Sequence, residues 1–506
     1  MTSDSPIVAG VPPGHGRWCR AVTAVATLAL LLCAGGHASG EEAVRPAETP
    51  AETPTAEQIR SGFSALRTRV FAYYPVPYRF YSGVEWQRRF AAVDKAADKL
   101  SAAEVFVEVA RFMGMLRDAH SWASIDNGAR LMSRAVPLRF WKFDDGVYVR
   151  AARPGLAELV GARLIAIDDV AIDEVIERMT AVQPGTNASL ALNVAQIYLT
   201  FPEYLHALGI AHDDSGVNLS LTLADGKART VAVPAVQYQD YSEAYSSAQR
   251  FQTPDGWVEP AAAKTAPWLV QRGRPFWYYV DTQHHAVVLQ INEGVLDPAH
   301  PYDFEKDEYT PYVAGMFDYI EGHHIDRLVV DLRHNSGGDS RMYDPLVRGI
   351  IRSRVLDQPG HTLVLISRLT ESAAVAWCAR LESDTSALFI GELTASPPNY
   401  YNDPAGFRRE AFHIPGTPIN YRIARVLDVW SADSTDDRLG IVPDFPVGMS
   451  YDDFASGRDP ALERALSLDP GAARALFLTS SGEDTAAIPY LHYQRRSQDS
   501  ARLATY

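Results

Sequence analysis

Cysteine is scarce in this chain, which has three cysteines in 506 residues. Cys19 and Cys33 lie within the first 40 residues, which have the pattern of a removable leader, so only Cys378 would remain in the mature chain. A single cysteine cannot close an intrachain disulfide. We therefore predict a mature protein that folds without disulfide bonds.

Basic residues are also few relative to acidic ones. The 47 lysines and arginines are outnumbered by 62 aspartates and glutamates, which gives a formal net charge of −15. A charge of this sign and size disfavours binding to nucleic acid or to an anionic membrane surface. We expect neither as a partner.

The N-terminus carries an apolar run that is short for a membrane-spanning helix. This run, at residues 21–32, follows Arg17 and Arg20, and small residues continue from it to Gly40. A charged start, an apolar middle and a small-residue end are typical of a signal peptide. We predict that residues 1–40 are a signal peptide, cleaved after Ala38 or Gly40. The mature chain, without a stable membrane span, would be periplasmic or secreted.

The remaining chain has room for two to four domains. A hydrophobic content of 47% and an aromatic content of 10% can support substantial cores. Apolar residues recur first at helical spacing, then in short strands with a helix, and finally in alternating strands and helices, which indicates an α/β domain. The predicted boundaries are 41–57 for a disordered Ala-Glu-Thr-Pro linker, 58–130 for a helical domain, 131–240 for a second domain, 241–275 for a linker, 276–470 for the α/β domain and 471–506 for a C-terminal tail.

The most informative segment is Leu328-Val-Val-Asp-Leu-Arg-His-Asn-Ser-Gly-Gly338. An apolar run that ends in an acid and a glycine pair predicts a buried strand whose following backbone can approach a ligand closely. A second buried strand is predicted at residues 362–366, and Ser372 stands where the chain turns into a helix. A nucleophile and a backbone donor on neighbouring strands would form the two halves of an acyl-transfer site. Taken separately, the glycines could form an ordinary turn and Ser372 a helix N-cap.

Together these motifs resemble the tail-specific, or C-terminal processing, serine peptidase family, which includes the tricorn core protease. Asp-Leu-Arg-x-Asn-x-Gly-Gly at 331–338 precedes Thr-x-Ser-Ala-Ala at 370–374, and Phe112 to Ser121 is similar to the family's Leu-x-Asp-x-His-Ser/Thr motif. Segments 161–169, 391–394 and 440–444 follow the family's order. The resemblance implies a ClpP/crotonase-like catalytic domain, a helical N-terminal domain, a PDZ-like domain at 131–240, a peptide or protein substrate, and no cofactor. No spacing of histidines suggests a metal site.

A serine hydroxyl needs a positioned base, and the sequence limits the choice. The last lysine is Lys306, so a serine–lysine dyad with the lysine after Ser372 is excluded. Resemblance to the tricorn-type branch assigns the role of general base to His120, whose neutral form could accept the serine proton. His120 could instead be a structural histidine at a helix end. His334 is the rival base, although it occupies a variable position of the family motif.

The resemblance identifies the remaining members of the site less directly. Asp437 is the predicted acid, because it stands three residues before Gly440, where tricorn-like members carry a glutamate; neighbouring Asp436 is the alternative. Ala119 replaces the relay serine of tricorn, so Asp437 would have to reach His120 directly, through Ser121 or through water. The oxyanion donors would be the backbone N–H of Ala373 and that of Gly337 or Gly338.

We therefore expect an exported serine endopeptidase that forms a Ser372 acyl-enzyme. The alternative is a catalytically degenerate member of the family that binds peptides or apolar ligands. An acyl-CoA enzyme on a related fold is disfavoured, because that chemistry does not require a serine nucleophile. The predicted PDZ-like domain lacks a Gly-Leu-Gly-Phe-type carboxylate loop before Gly161, and Leu138–Phe143 is the nearest candidate, so we expect a structural or gating role for it. The sequence leaves the oligomeric state open.

Overall fold

The computed structural model describes residues 53–481 except 184, 249–250, 252, 301–304 and 404–410. The predicted signal peptide and most of the predicted 41–57 linker lie outside the described residues. The chain divides into two compact units. Within the described residues, the N-terminal unit comprises 53–261 and 401–428, and the C-terminal unit comprises 262–400 and 429–481.

The described helices and strands are numbered here in chain order. The helices are α1 Ala56–Tyr73, α2 Gly83–Ala96, α3 Ala102–Gly114, α4 Ile172–Val182, α5 Ala188–Tyr198, α6 Pro202–Ala207, α7 Tyr241–Ala248, α8 Pro267–Val270, α9 Tyr309–Gly322, α10 Tyr343–Arg352, α11 Ala373–Asp384, α12 Tyr451–Ser456, α13 Pro460–Ser467 and α14 Pro470–Ser481. The strands are β1 Ala123–Ile125, β2 Arg134–Ala135, β3 Leu138–Phe143, β4 Gly146–Ala152, β5 Arg163–Ile167, β6 Val170–Ala171, β7 Gly216–Thr222, β8 Ala228–Pro234, β9 Val236–Gln237, β10 Phe276–Asp281, β11 Ala286–Ile291, β12 Arg327–Asp331, β13 Thr362–Ile366, β14 Leu388–Gly391, β15 Asn399–Asn402, β16 Phe412–His413, β17 Ile419–Tyr421, β18 Val426–Val429 and β19 Phe445–Pro446.

Three helices open the N-terminal unit, and each begins at a capping box. Thr55, Ser82 and Ser101 accept a hydrogen bond from the third helical residue, whose side chain accepts one from the cap backbone in return. These reciprocal bonds satisfy amides that the helix itself cannot pair. Helix α3 buries most of its residues, and it ends just before the segment that contains His120.

An antiparallel sheet follows in the order β3-β4-β5-β7-β8, with β6 paired to β5. The turn from β5 to β6 passes through Asp168, which has a φ of 48°. Its carboxylate accepts hydrogen bonds from the N–H groups of His212 and Asn218, so the turn is held to the start of β7. This sheet occupies the region where the sequence motif predicted a PDZ-like element.

The C-terminal unit is built on a sheet of order β10-β11-β12-β13-β14-β19, in which every pair after β10-β11 is parallel. Alternate residues of a strand point to opposite faces. Val330 and Val364 accordingly join a core with α9, α10 and α11, whereas Val329 and Leu363 join a second core with α13 and α14. Helices therefore cover both faces, as a parallel sheet requires. None of the helices described between residues 53 and 481 is long and apolar enough to cross a membrane.

Candidate active site

Ser372 stands at the start of α11 in an unusual backbone conformation, with a φ of 54° and a ψ of −126°. Its N–H donates to the buried Ser396 hydroxyl at 3.0 Å, and its carbonyl accepts the N–H groups of Val375 and Ala376. Its side chain makes no capping hydrogen bond with the helix. A positive φ outside glycine costs on the order of 1–3 kcal/mol and occurs most often at functional sites. Ser372 therefore occupies the N-cap position without using its hydroxyl as a cap.

Gly337 lies against Ser372. A Cβ atom added at Gly337 would lie 2.6 Å from Ser372 Cβ, 3.1 Å from Ser372 Oγ and 3.1 Å from the Ala373 nitrogen. Its φ of 110° is a second reason for glycine, because L side chains rarely adopt that conformation. The structure thus brings together four of the predicted site residues, Ser372, Ala373, Gly337 and Gly338.

Gly338 faces a different neighbour. Its loop pairs with Gly294, whose N–H donates to the Gly337 carbonyl at 2.8 Å and whose carbonyl accepts the Asp339 N–H at 2.7 Å. A Cβ atom at Gly338 would collide with the Gly294 carbonyl oxygen. The two glycines therefore have separate tasks, because one approaches the serine and the other lets the loop pair with the segment after β11.

Asn335 is a site residue to which the sequence analysis gave no role. Its side chain is fully buried. The Oδ1 atom accepts the Gly337 N–H at 2.8 Å, the Nδ2 atom donates to the Ile291 carbonyl at 3.2 Å, and the Asn335 carbonyl accepts the Glu371 N–H at 3.1 Å. Asn335 thereby ties the end of β11, the glycine loop and the turn before Ser372 together. The signal available in the sequence was an asparagine two residues before the glycine it binds.

The Asn335 bond also affects the choice of oxyanion donor. It engages the Gly337 N–H, whereas the N–H groups of Gly338 and Ala373 donate to no partner within the described part of the chain. Ala373 is the first residue of α11, where backbone amides lack an intrahelical acceptor.

His120 lies in the N-terminal unit, six residues after the end of α3. Its backbone N–H donates to Asp118 Oδ1 at 3.0 Å, and its Nδ1 atom lies 3.9 Å from the same oxygen. The Ser121 hydroxyl donates to Asp118 Oδ2 at 2.7 Å and accepts the Ala424 N–H at 2.9 Å. Asp118 is thus the carboxylate that the N-terminal unit places beside the predicted base.

Burial shifts the pKa values of this pair in opposite directions. It lowers the pKa of His120 to about 4, against a smaller raising effect of a hydrogen bond with the Tyr401 backbone. It raises the pKa of Asp118 to about 7, against the lowering effect of the hydrogen bonds from His120 and Ser121. Desolvation dominates both shifts, because it penalises whichever form carries charge. His120 is therefore neutral at neutral pH, the form that a general base needs.

The predicted acids have different surroundings in the C-terminal unit. Asp436 accepts hydrogen bonds from Arg438 Nε at 3.0 Å and from the Ser431 hydroxyl at 2.8 Å. Arg438 also binds both carboxylate oxygens of the buried Glu382, at 2.9 and 2.6 Å. Asp436 thus belongs to a buried ion-pair network, whereas Asp437 is exposed to solvent.

His334, the rival base, lies in the C-terminal unit with Ser372. Its ring stacks on the indole of Trp268, with the ring centroids 5.5 Å apart and the planes 3° from parallel. The neighbouring Arg333 guanidinium lies 5.1 Å from the same indole and binds Asp331 and Asp459. This stacking gives the His334 ring a packing partner at the strand end.

Several solved structures resemble this one. A structure of mature CPAF complexed with lactacystin has 14% sequence identity and a TM-score of 0.55, with 84% of this chain and 98% of that chain covered. A further structure of mature CPAF has 13% identity and a TM-score of 0.50, with 88% and 98% covered. The photosystem II D1 C-terminal processing protease has 15% identity and a TM-score of 0.36, with 86% and 99% covered.

The likeness to CPAF, a serine peptidase, shows the fold. It confirms, at the level of the fold, the resemblance to the tail-specific peptidase family that the sequence motifs indicated. No family model and no curated protein sequence matches the chain. The roles of individual residues therefore have to be inferred from the geometry of this chain.

Proposed function

We propose that this protein is a serine endopeptidase in which Ser372 is the nucleophile and His120 the general base. The observation that carries the proposal is the strained backbone of Ser372, packed against Gly337 and followed directly by the first amide of a helix. A structural N-cap serine needs neither the strain nor the glycine. The same arrangement is what a hydroxyl requires if it is to attack a carbonyl beside backbone donors.

In the proposed reaction, Ser372 Oγ attacks the carbonyl carbon of the scissile peptide bond while its proton passes to His120. The resulting oxyanion accepts hydrogen bonds from the N–H groups of Ala373 and Gly338. The C–N bond then breaks, the leaving amine takes the proton from His120, and an acyl-enzyme remains. Water, deprotonated by His120, hydrolyses that ester and restores the serine. Each backbone donor of this kind contributes roughly 10²–10³-fold to the rate.

The identity of the acid that orients His120 is a separate proposal. Asp437 is exposed, and the Ser121 hydroxyl, which was one predicted route to Asp437, donates its proton to Asp118. Both observations weaken the assignment of Asp437, and the buried ion pairs of Asp436 weaken the alternative.

We also propose that the C-terminal unit is the ClpP/crotonase-like catalytic domain and that the β3–β8 sheet is the PDZ-like domain. A chain end would bind such a domain by adding a strand to a free sheet edge. Beside β3, the Lys142 N–H donates to the Gln196 side chain of α5 at 3.3 Å, and the Val136 N–H donates to the Thr200 carbonyl at 2.8 Å. Because these two N–H groups already have internal partners, we propose that this domain does not read substrate termini. The chain would act in the periplasm or outside the cell.

Labelling with a fluorophosphonate tests the proposed function. The wild-type protein should react covalently at one residue, and peptide mapping should identify Ser372. The variant S372A should not react. Equal labelling of both proteins would refute Ser372 as the nucleophile, and a wild-type protein that never labels would favour the non-catalytic, peptide-binding alternative.

A further inference from the structure

We infer that Asp118 is the residue that orients His120 and stabilises its protonated form, in place of an acid from the C-terminal unit. This inference rests on the proposed role of His120 as general base. Asp118 reaches His120 through two contacts, a hydrogen bond from the His120 backbone N–H at 3.0 Å and a 3.9 Å approach to Nδ1. The first fixes the backbone of the histidine, and the second places a carboxylate beside its ring.

The position of Asp118 is itself fixed by hydrogen bonds. The Ser121 hydroxyl donates its only proton to Asp118 Oδ2 and accepts the Ala424 N–H. Ser121 therefore cannot also donate a proton to a second carboxylate. A hydrogen-bond relay from Ser121 therefore ends at Asp118. With Asp118 as the acid, no other hydroxyl has to take the place of the one that Ala119 lacks.

The 3.9 Å distance is longer than a hydrogen bond, so the ring contact in this structure is electrostatic. Catalytic hydrogen bonds are often long in enzymes without substrate and shorten during the reaction. When Ser372 attacks, His120 gains a proton and a positive charge in a buried site. A carboxylate at this distance favours that charge, because a buried cation without a counter-charge is costly.

The titratable and charged groups that face Asp118 are Tyr74, Tyr401 and Arg79. Burial and the Asp118 charge raise the pKa of Tyr74, and burial together with the same charge raises that of Tyr401. Both phenols therefore stay neutral across the working range. The positive charge of Arg79 acts in the opposite direction and lowers the pKa of both tyrosines. Between these neighbours, Asp118 and His120 are the two groups that change charge in moderately acid to neutral solution.

The test is the second-order rate constant of fluorophosphonate labelling, measured from about pH 4 to 9. The labelled plateau gives the fraction of competent protein, so partial misfolding does not distort the rate. In the wild type the rate should rise through an apparent pKa near 7, as Asp118 ionises. In D118N the rate at pH 8 should fall by about 100-fold, and the rise near pH 7 should disappear.

The matched control is E203Q in the same unit. Glu203 is half-buried, and like Asp118 it has a raised pKa and accepts a backbone N–H, here from Met132 at 2.6 Å. It should keep the wild-type rate and pH profile, which separates loss of a buried carboxylate in general from loss of this one. For peptide cleavage, D118N should lower kcat and leave KM nearly unchanged. A D118N protein that labels at the wild-type rate with the rise near pH 7 intact would overturn the inference.

Two further measurements cover the remaining outcomes. If D118N does not fold, S121A takes its place in the test. The Ser121 hydrogen bond lowers the pKa of Asp118, so its loss should move the rise in labelling rate to higher pH. A rise that stays at the wild-type pH would refute the role of Asp118. The His120 ring resonances, followed by NMR with labelled histidine, should respond to an ionisation near pH 7 in the wild type. If the His120 resonances respond near pH 7 but the protein is never labelled, the proposed function is rejected and the Asp118–His120 contact is retained. If the resonances do not respond, the contact is rejected.

Discussion

Gly337 and Ser372 are so close that a methyl group at residue 337 would meet the serine side chain, with only 2.6 Å between the two Cβ atoms. Each residue has a positive φ, 110° for the glycine and 54° for the serine. The sequence motif that contains the glycine and the motif that contains the serine are therefore two parts of one local structure.

Replacing Gly337 by alanine should abolish labelling, with a loss of at least about 10³-fold, because the added methyl group displaces Ser372 or the loop. The control is G128A. Gly128 also has a positive φ, of 83°, but a Cβ atom there would meet nothing within 4 Å. Both variants carry backbone strain, and only G337A should lose reactivity. Activity in G337A close to that of G128A would contradict the proposed geometry.

Ser372 should show its strain in the stability of its variants. Glycine tolerates a φ of 54° far better than alanine, so S372G should be more stable than S372A by about 1 kcal/mol. Thermal or denaturant unfolding of both variants measures the difference. Equal stabilities, or a more stable S372A, would show that Ser372 is not strained in solution.

His120 and Asp118 should give opposite pH dependence of stability when each is removed. In D118N, the remaining His120 has a folded pKa of about 4, below its usual 6.5. The unfolded chain then binds more protons between these values, so stability should rise as the pH rises from about 4 to 6.5. In H120Q, the remaining Asp118 has a folded pKa of about 7, above its usual 3.8. Stability should then fall as the pH rises from about 4 to 7.

Melting temperatures of D118N and H120Q at about pH 4.5 and 6.5 measure these slopes. In the wild type the two effects oppose each other, so its slope should lie between those of the variants. H120Q should also lose nearly all peptidase activity, whereas H334Q should keep it. Slopes of the same sign in the two variants would mean that burial does not shift both pKa values as described.

A peptide substrate whose C-terminus is amidated should be cleaved with only a modest change in kcat/KM, because the Lys142 N–H of β3 and the Val136 N–H before it already donate to internal partners. The comparison uses one peptide with a free or amidated terminus. A loss of about 100-fold on amidation, larger still in Q196A, would instead show that the edge opens to bind chain ends.

Export should leave a mature N-terminus near Ser39 or Glu41 and a single cysteine, Cys378. Mass spectrometry of the exported protein measures both, and the mass should be unchanged by reduction. An exported protein that retains Met1, or that carries a lipid on Cys33, would contradict the signal-peptide prediction.

The sequence by itself determined the elements on which the proposed site lies. The apolar runs that begin at Leu328 and at Thr362 predicted buried strands, because a parallel sheet covered on both faces requires continuous apolar segments. These runs correspond to β12, which starts one residue earlier at Arg327, and to β13. The motif around Ser372 led to the family whose fold the structure shares. The absence of lysine after Lys306 excluded a serine–lysine dyad with the lysine after Ser372.

Tertiary structure alone decided which polar groups have partners. The sequence does not distinguish Gly337 from Gly338. Only the folded structure shows that the Gly337 N–H donates to Asn335 and that Gly294 forms hydrogen bonds with the residues on either side of Gly338. Likewise, the motif around His120 contains Asp118 as one letter among ten, and spacing cannot show that its carboxylate turns back toward the imidazole. Hydrogen bonds and desolvation depend on distances between segments far apart in the chain, such as Ser121 and Ala424. Those distances are properties of packing, which local sequence patterns do not encode.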